Sequence, residues 1–354
     1  MACATHWTPA YDSDRYQHME GETPVTHTNT STAPFPILGT LTPGTTQRHM
    51  VALPGAALAD DRWPVTSICG VRPGPVIFIN GGIHGGEYPG IETVIRLGMM
   101  LDPQELAGTV VLMPVVNLPG FRKRSIFVSP VDEVNPNRVF PGDPAGSYSE
   151  QLVSALMNEF IAHADLYIDL HGGDIVEALV PFSICRQADS PADRKALENA
   201  RVFGLPYLLT VDRPIQPAKG SMSFVAAAER GIAGFIAEAG SIGQLDEDSV
   251  QLLLNGVFRV LRHNGMIQTT VPSVPEPTLL TAFEWIYCEY GGMFYPAVSL
   301  DDEVKEGQSL GRIGTLFGEI IEEVTSPLAG RVLFVTTSPS MADHGLLMGI
   351  VVAE

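Results

Sequence analysis

Between residues 37 and 270 the chain alternates short apolar runs with longer segments of helical periodicity, and this alternation most restricts what it can fold into. The runs are VIFIN (76–80), TVVLMPVV (109–116), DLYIDL (165–170), PYLLTV (206–211) and GIAGFIAEA (231–239). Between them lie GIETVIRLGMML, SEQLVSALMNEFIAHA, DRKALENARVFG and DSVQLLLNGVFRVLRHNG. A strand that is apolar at every position is buried on both faces, so helices must cover both sides of its sheet. The expectation is an α/β fold: a mixed, largely parallel central sheet flanked by helices, with ligands bound beyond the carboxyl ends of the strands.

The segment TVPSVPEPT (270–278) holds three prolines in nine residues and reads as a linker over 271–278. Beyond it the texture changes to short β-like pieces with Gly and acidic turns, GGMFYPAVSLDDEVKEGQSLGRIGT, EEVTSPLAGRVLFVTT and LLMGIVVAE. Residues 279–354 therefore read as a small all-β barrel, a size that supports its own core when docked on a neighbour. Its pattern resembles a lipoyl or biotinyl carrier module, but between Leu310 and Ser326 there is no Lys to modify. The barrel is expected to lack a prosthetic group and to cover the active-site rim or mediate assembly into a homo-oligomer. Tyr287 and Tyr290 near its start are read as packing residues that lie within reach of the pocket. Residues 1–36, rich in Thr, Ser, Pro and His, read as an arm without chemistry.

Composition narrows the partners. Lys and Arg number 21 against 40 Asp and Glu, a formal net charge of −19, with no basic stripe. That balance disfavours nucleic acid and anionic membranes, which require clustered Lys and Arg. No apolar run is long enough to span a bilayer. Cys3, Cys69, Cys185 and Cys288 form no CxxC pair and read as free thiols, and the expected compartment is the cytoplasm.

The chemistry is concentrated at two strand ends. His84 and Glu87 share a Gly-rich turn in VIFINGGIHGGEYPG, where a buried strand stops and a helix starts near Pro89. His171 ends the buried strand of ADLYIDLHGGD and is likewise followed by Gly-Gly. An imidazole and a carboxylate three residues apart chelate one Zn²⁺, and a third ligand leaves a coordination position open for catalysis. The remaining histidines, at 6, 18, 26, 49, 163, 263 and 344, lack such a carboxylate and read as surface residues. Asp169, two residues before His171 on the same strand face, is read either as a buried polar residue satisfied by backbone or as an acceptor that orients His171.

The ordered set HGGE, NLPGF, NPNRVFPGD, DLHGG and EAG across residues 84–240 resembles the succinylglutamate desuccinylase and aspartoacylase family of zinc-carboxypeptidase-like hydrolases. The resemblance implies one zinc ion held by His84, Glu87 and His171, with Glu238 as the catalytic carboxylate. It implies that Asn137 and Arg138 bind a substrate carboxylate, a task suited to the planar guanidinium fork. Pro136 stands where the family has Leu, which is expected to perturb the backbone there. A further upstream Arg polarises the scissile carbonyl in the family. Arg122, Lys123 and Arg124 lie in that region, with Arg124 aligning best, and a surface basic cluster is the alternative. The implied reaction is zinc-dependent hydrolysis of a small N-acyl amino acid, of N-acetyl or N-succinyl type. A metallocarboxypeptidase acting on short peptides is the second reading and a noncatalytic binding protein the third. Two His and one Glu also hold Co²⁺ or Mn²⁺.

Overall fold

The computed structural model describes residues 35–211 and 220–353. The first nine strands are β1 (Thr45–Val51), β2 (Trp63–Cys69), β3 (Arg72–Gly81), β4 (Ala107–Met113), β5 (Leu166–His171), β6 (Glu177–Leu179), β7 (Phe182–Arg186), β8 (Tyr207–Val211) and β9 (Ala233–Glu238). Among them run helices α1 (Tyr88–Met100), α2 (Leu118–Lys123), α3 (Tyr148–Glu159), α4 (Pro191–Phe203), α5 (Ser223–Glu229) and α6 (Glu247–His263). The C-terminal strands are β10 (Thr278–Tyr287), β11 (Gly292–Pro296), β12 (Glu303–Val304), β13 (Ser309–Gly314), β14 (Ile320–Thr325), β15 (Gly330–Thr336), β16 (Ser340–Met341) and β17 (Leu346–Ala353).

The central sheet runs β1-β2-β4-β3-β5-β9-β7-β8-β10-β17-β15-β12, with β6 paired to β15. Its middle is parallel where β4, β3, β5 and β9 lie side by side. β7 then enters antiparallel to β9 and starts a second parallel group with β8 and β10. Side chains alternate between two cores. Ile77, Ile79, Leu166 and Ile168 face the core that packs against α1, α4 and α6, whereas Phe78 and Tyr167 face the one under α3. β4 and β5 are buried at every residue, as their unbroken apolar runs require.

Helix starts follow local rules. Ser147 and Glu150 form a capping box on α3, Ser190 and Asp193 another on α4. The arm expected at residues 1–36 lies outside the described residues except at its end, where the expectation fails. Phe35 is fully buried, its ring centroid 6.0 Å from that of Phe160, because a large aromatic side chain gains more from the core than from solvent.

The C-terminal segment is all-β, but its strands divide. β10, β17, β15 and β12 continue the central sheet through the parallel pairing of Leu279 with Leu208. Only β14-β13-β11-β16 forms a separate sheet, and a core including Phe294, Ile313, Met348 and Ile350 fills the space between them. The proline-rich stretch leads directly into β10, and residues 33–354 form one compact unit.

Candidate metal centre and catalytic cavity

Three strand ends converge on the site. β3 stops at Gly81 and the chain turns through His84 and Glu87 before α1 begins at Tyr88, with Pro89 in its first turn. The glycines between them allow close approach. A Cβ on Gly85 would lie 2.1 Å from the Phe121 nitrogen, and one on Gly86 would lie 2.0 Å from Asp174 Oδ1. β5 ends at His171 and β9 at Glu238, and their parallel register pairs these two residues directly.

His84, Glu87 and His171 are buried, and each offers a ligand atom within 4.8 Å of the others. Glu87 Oε1 lies 2.7 Å from His84 Nδ1, and its Oε2 lies 2.8 Å from His171 Nδ1. The second contact is off the line of a hydrogen bond, so Glu87 Oε2 has no hydrogen-bond partner despite complete burial. An unsatisfied carboxylate oxygen facing two imidazoles fits a cation, and the donor set of two nitrogens and one carboxylate suits one divalent metal ion.

Asp169 is satisfied by side chains and not by backbone, and its approach to His171 is an ion pair without hydrogen-bond alignment. It is fully buried, with Oδ1 accepting from Asn80 Nδ2 at 2.7 Å and Oδ2 from Ser223 Oγ at 2.5 Å. Oδ2 also lies 3.2 Å from His171 Nε2, the ring nitrogen turned away from Glu87. Burial disfavours charge on His171, but Asp169 and Glu87 outweigh it and hold the imidazole pKa well above its ordinary value. Burial likewise works against ionised Glu87, yet His84 and His171 bring its pKa down to about 2.

Asn135 accepts from Asn137 N at 2.9 Å and lies 3.1 Å from His84 Nε2. Asn137 Oδ1 in turn accepts from Ser223 N at 2.9 Å. Pro136 keeps Asn135 extended (φ −76°, ψ 112°) and opens a short 3-10 turn over Pro136–Arg138, within which Asn137 departs from helical backbone (φ −81°, ψ 24°). The turn carries Asn137 and Arg138 to the cavity.

That cavity encloses about 300 Å³, and among the described residues its charged and amide lining is His84, Glu87, Asn135, Asn137, Arg138, Glu177 and Glu238. Burial pushes the Glu238 carboxyl well above its usual range, and Glu87, Glu177 and Asp169 add to the effect against the opposing pull of His171. Glu177 rises to about 8 through burial and the nearby charges of Glu87 and Asp174, moderated by Arg138. Burial lowers the Arg138 pKa while Glu238 and Glu177 favour its charge.

Arg124 is not in the cavity. It is exposed at the left-handed C-cap of α2, φ 55°. Arg122 and Lys123 are also exposed, and Arg122 pairs with Asp61 at 2.6 Å, so the three form a surface basic cluster. Phe127 lines the cavity instead, edge-on to His84 at 5.8 Å. Its amide donates to Asp174 Oδ2 at 2.7 Å, which draws the loop inward. Tyr287 and Tyr290 are exposed, and neither is among the described residues that line the cavity, although Tyr287 lies near enough to influence Arg138.

Sequence reasoning missed Asn135, Phe127 and Glu177. NPN is a turn signal that marks Asn135 as a capping residue. Phe127 and Glu177 carry no comparable local signal. Glu177 begins a three-residue strand whose partner, β15, lies more than 150 residues downstream.

Residues 73–264 match the family model of the succinylglutamate desuccinylase/aspartoacylase catalytic domain. The chain belongs to this family. Over 248 residues, 68% of this chain and 70% of the relative, it is 30% identical to the N-alpha-acetyl-L-2,4-diaminobutyric acid deacetylase of Halomonas elongata. Among solved structures it shares its fold with a succinylglutamate desuccinylase/aspartoacylase from Rhodobacter sphaeroides. That likeness has a TM-score of 0.77 and 24% identity over 87% of this chain and 95% of the other. The product-bound ectoine utilization protein EutE (DoeB) of Ruegeria pomeroyi matches with a TM-score of 0.78, again with 24% identity and coverage of 87% and 95%. In this family member the His-Glu-His group lies within the matched catalytic region. No helix among the described residues is long and apolar enough to cross a membrane.

Proposed function

We propose that the chain is a zinc-dependent deacylase that hydrolyses the amide bond of a small N-acyl amino acid, of acetyl or succinyl type. The observation that carries this reading is the register of β5 and β9, which sets Glu238 beside His171 at the lip of a cavity that also holds Asn137 and Arg138. A metal site next to a carboxylate and a carboxylate-binding fork is what amide hydrolysis of an amino-acid derivative requires. The diaminobutyrate deacetylase from Halomonas elongata supports an N-acetyl amino acid as substrate.

His84, Glu87 and His171 would hold the ion. When bound, it supplies Lewis acidity, drawing electron density from the scissile carbonyl and making an adjacent water a stronger acid. Arg138 binds the substrate carboxylate with its planar donors. Asn137 is held by Ser223 N through its Oδ1, which leaves its amide nitrogen to help orient the same group. Glu238, ionised once the adjacent site holds a cation, accepts the proton of the attacking water as the new C–O bond forms and delivers it to the leaving nitrogen as the C–N bond breaks. The products are a carboxylate and a free amine. Arg124, at the surface, takes no part. Walls from β7, β10, β15 and β17 close around the cavity, which favours a small molecule over an extended peptide. Cys69, Cys185 and Cys288 are free thiols, which suits a reducing compartment such as the cytoplasm.

Glu238→Gln tests the proposal. The variant should retain one metal ion per chain by elemental analysis while turnover of N-acyl amino acids falls at least about 100-fold. Wild-type turnover in the variant would remove Glu238 from the chemistry.

A further inference from the structure

The cavity continues beyond its polar end into an apolar chamber. Phe283 and Trp285 lie two residues apart on β10 and so share one face of the strand. Phe334 on β15 joins them. The ring centroids of Phe283 and Trp285 are 4.8 Å apart, and Phe334 is 6.0 Å from the first and 5.3 Å from the second. Gly349 on β17 makes room for this trio, since a Cβ there would fall 2.3 Å from Phe334 Cε1 and 2.7 Å from Phe283 Cζ. Ile184, Leu209 and Ile236 extend the wall from β7, β8 and β9.

Among the described residues, the charged groups of the lining gather in one cluster. Arg138 is within electrostatic reach of Glu238, Glu177 and Glu87, so the charged lining groups form one cluster around the scissile position. Among the described residues no charged side chain lines the chamber beyond them. One substrate carboxylate is met by Arg138. A second charge placed among the rings would lose its hydration, and neither the buried Trp285 Nε1–H nor the ring faces would make up that loss.

We propose that this chamber selects N-acyl amino acids carrying an apolar ring or branched aliphatic group and rejects those whose substituent is charged. The group enters either as the amino-acid side chain or as the acyl chain, since both flank the scissile amide. This inference rests on the deacylase reading, which places that amide at the Glu238 end.

The test compares kcat/KM of the metal-loaded protein on N-acetylglycine, N-acetyl-L-phenylalanine, N-benzoylglycine, N-succinyl-L-glutamate and N-acetyl-L-2,4-diaminobutyrate. One of the two ring-bearing substrates should exceed N-acetylglycine by at least about 100-fold, and which one does so identifies the end that enters the chamber. Equal or faster turnover of either charged substrate overturns the proposal. Leu346→Phe, which narrows the chamber from the start of β17, should lower the ratio of ring-bearing to N-acetylglycine kcat/KM by about 10-fold. An unchanged ratio in that variant also counts against the chamber. A binding measurement separates this inference from the deacylase reading. 3-Phenylpropanoate should shift the Trp285 emission of the wild-type protein at a concentration at least about 10-fold below that needed for propanoate, and Trp285→Phe should abolish the signal. If nothing in the panel is hydrolysed the deacylase reading falls, while the two carboxylates still decide the chamber: equal affinity overturns it and the expected preference supports it.

Discussion

Replacing Asp169 by Asn probes how the buried network holds the metal site. The carboxylate accepts from Asn80 Nδ2 and Ser223 Oγ and faces His171 Nε2, all with no exposure to solvent. An amide in its place keeps the shape but presents one oxygen and one NH2 group. If the oxygen stays with Ser223 and His171, the NH2 group opposes Asn80 Nδ2, and turning the Asn80 amide to meet it sends that Nδ2 to the dry position where Oδ1 has no partner. A buried group left unsatisfied in this way costs about 1–3 kcal/mol. His171 also loses a charged neighbour at 3.2 Å, which for a metal-ligating imidazole lowers affinity about 10- to 100-fold. The expected result is a folded protein whose urea midpoint is shifted down by the equivalent of about 2 kcal/mol and whose zinc Kd, measured by chelator competition, rises 10-fold or more. A variant of unchanged metal affinity would show that Asp169 supports the sheet without orienting His171.

The other outcomes test separate parts of the site. Arg138→Ala should raise KM about 10- to 100-fold for substrates bearing a carboxylate and change it far less for the corresponding carboxamides; equal losses on both would argue against an anchoring role. Glu177 has a folded-state pKa of about 8 against an ordinary 4.5. The native state therefore binds its proton more tightly than the unfolded chain. Its contribution to stability is full below about pH 4.5 and is lost as pH rises to about 8, at up to about 1.4 kcal/mol per pH unit. In metal-free protein, urea titrations at pH 5 to 8 should show this decline in the wild type and a flatter profile in Glu177→Gln; parallel profiles would exclude Glu177 as the source. Gly86→Ala drives a Cβ against Asp174 Oδ1, whose carboxylate holds the amides of Phe127 and Ile175. Stability should fall by at least about 2 kcal/mol, read by thermal melting, and an unaltered Tm would mean that the loop yields freely.

The metal ligands were legible because their signals are local. His84 and Glu87 occupy one turn, and His171 ends a strand whose apolar run announces itself, as does the strand that Glu238 closes. Asn137 and Arg138 came from the family motif, and the structure carries both to the cavity. Arg124 marks where local reading stops. Alignment along the chain placed it near the right segment, but the left-handed turn at the end of α2 leaves it in solvent while the Asp174 carboxylate draws the Phe127 loop inward. Whether a side chain in a loop points to solvent or cavity depends on partners remote in sequence, and no periodicity encodes them.

Periodicity and turn chemistry in the sequence determined the α/β class, the buried strands and the strand-end positions of His84, Glu87, His171 and Glu238, since each depends on neighbours within a few residues. The tertiary structure alone decided three things. It set Glu238 against His171 through the β5–β9 register, and it brought Glu177 into the cavity through a short strand held by β15. It also joined β10, β17, β15 and β12 of the C-terminal all-β segment to the central sheet, so that Phe283, Trp285 and Phe334 wall the catalytic cavity. All three depend on strand pairing across long stretches of chain, where the gain from hydrogen bonding and burial is realised only once distant segments meet.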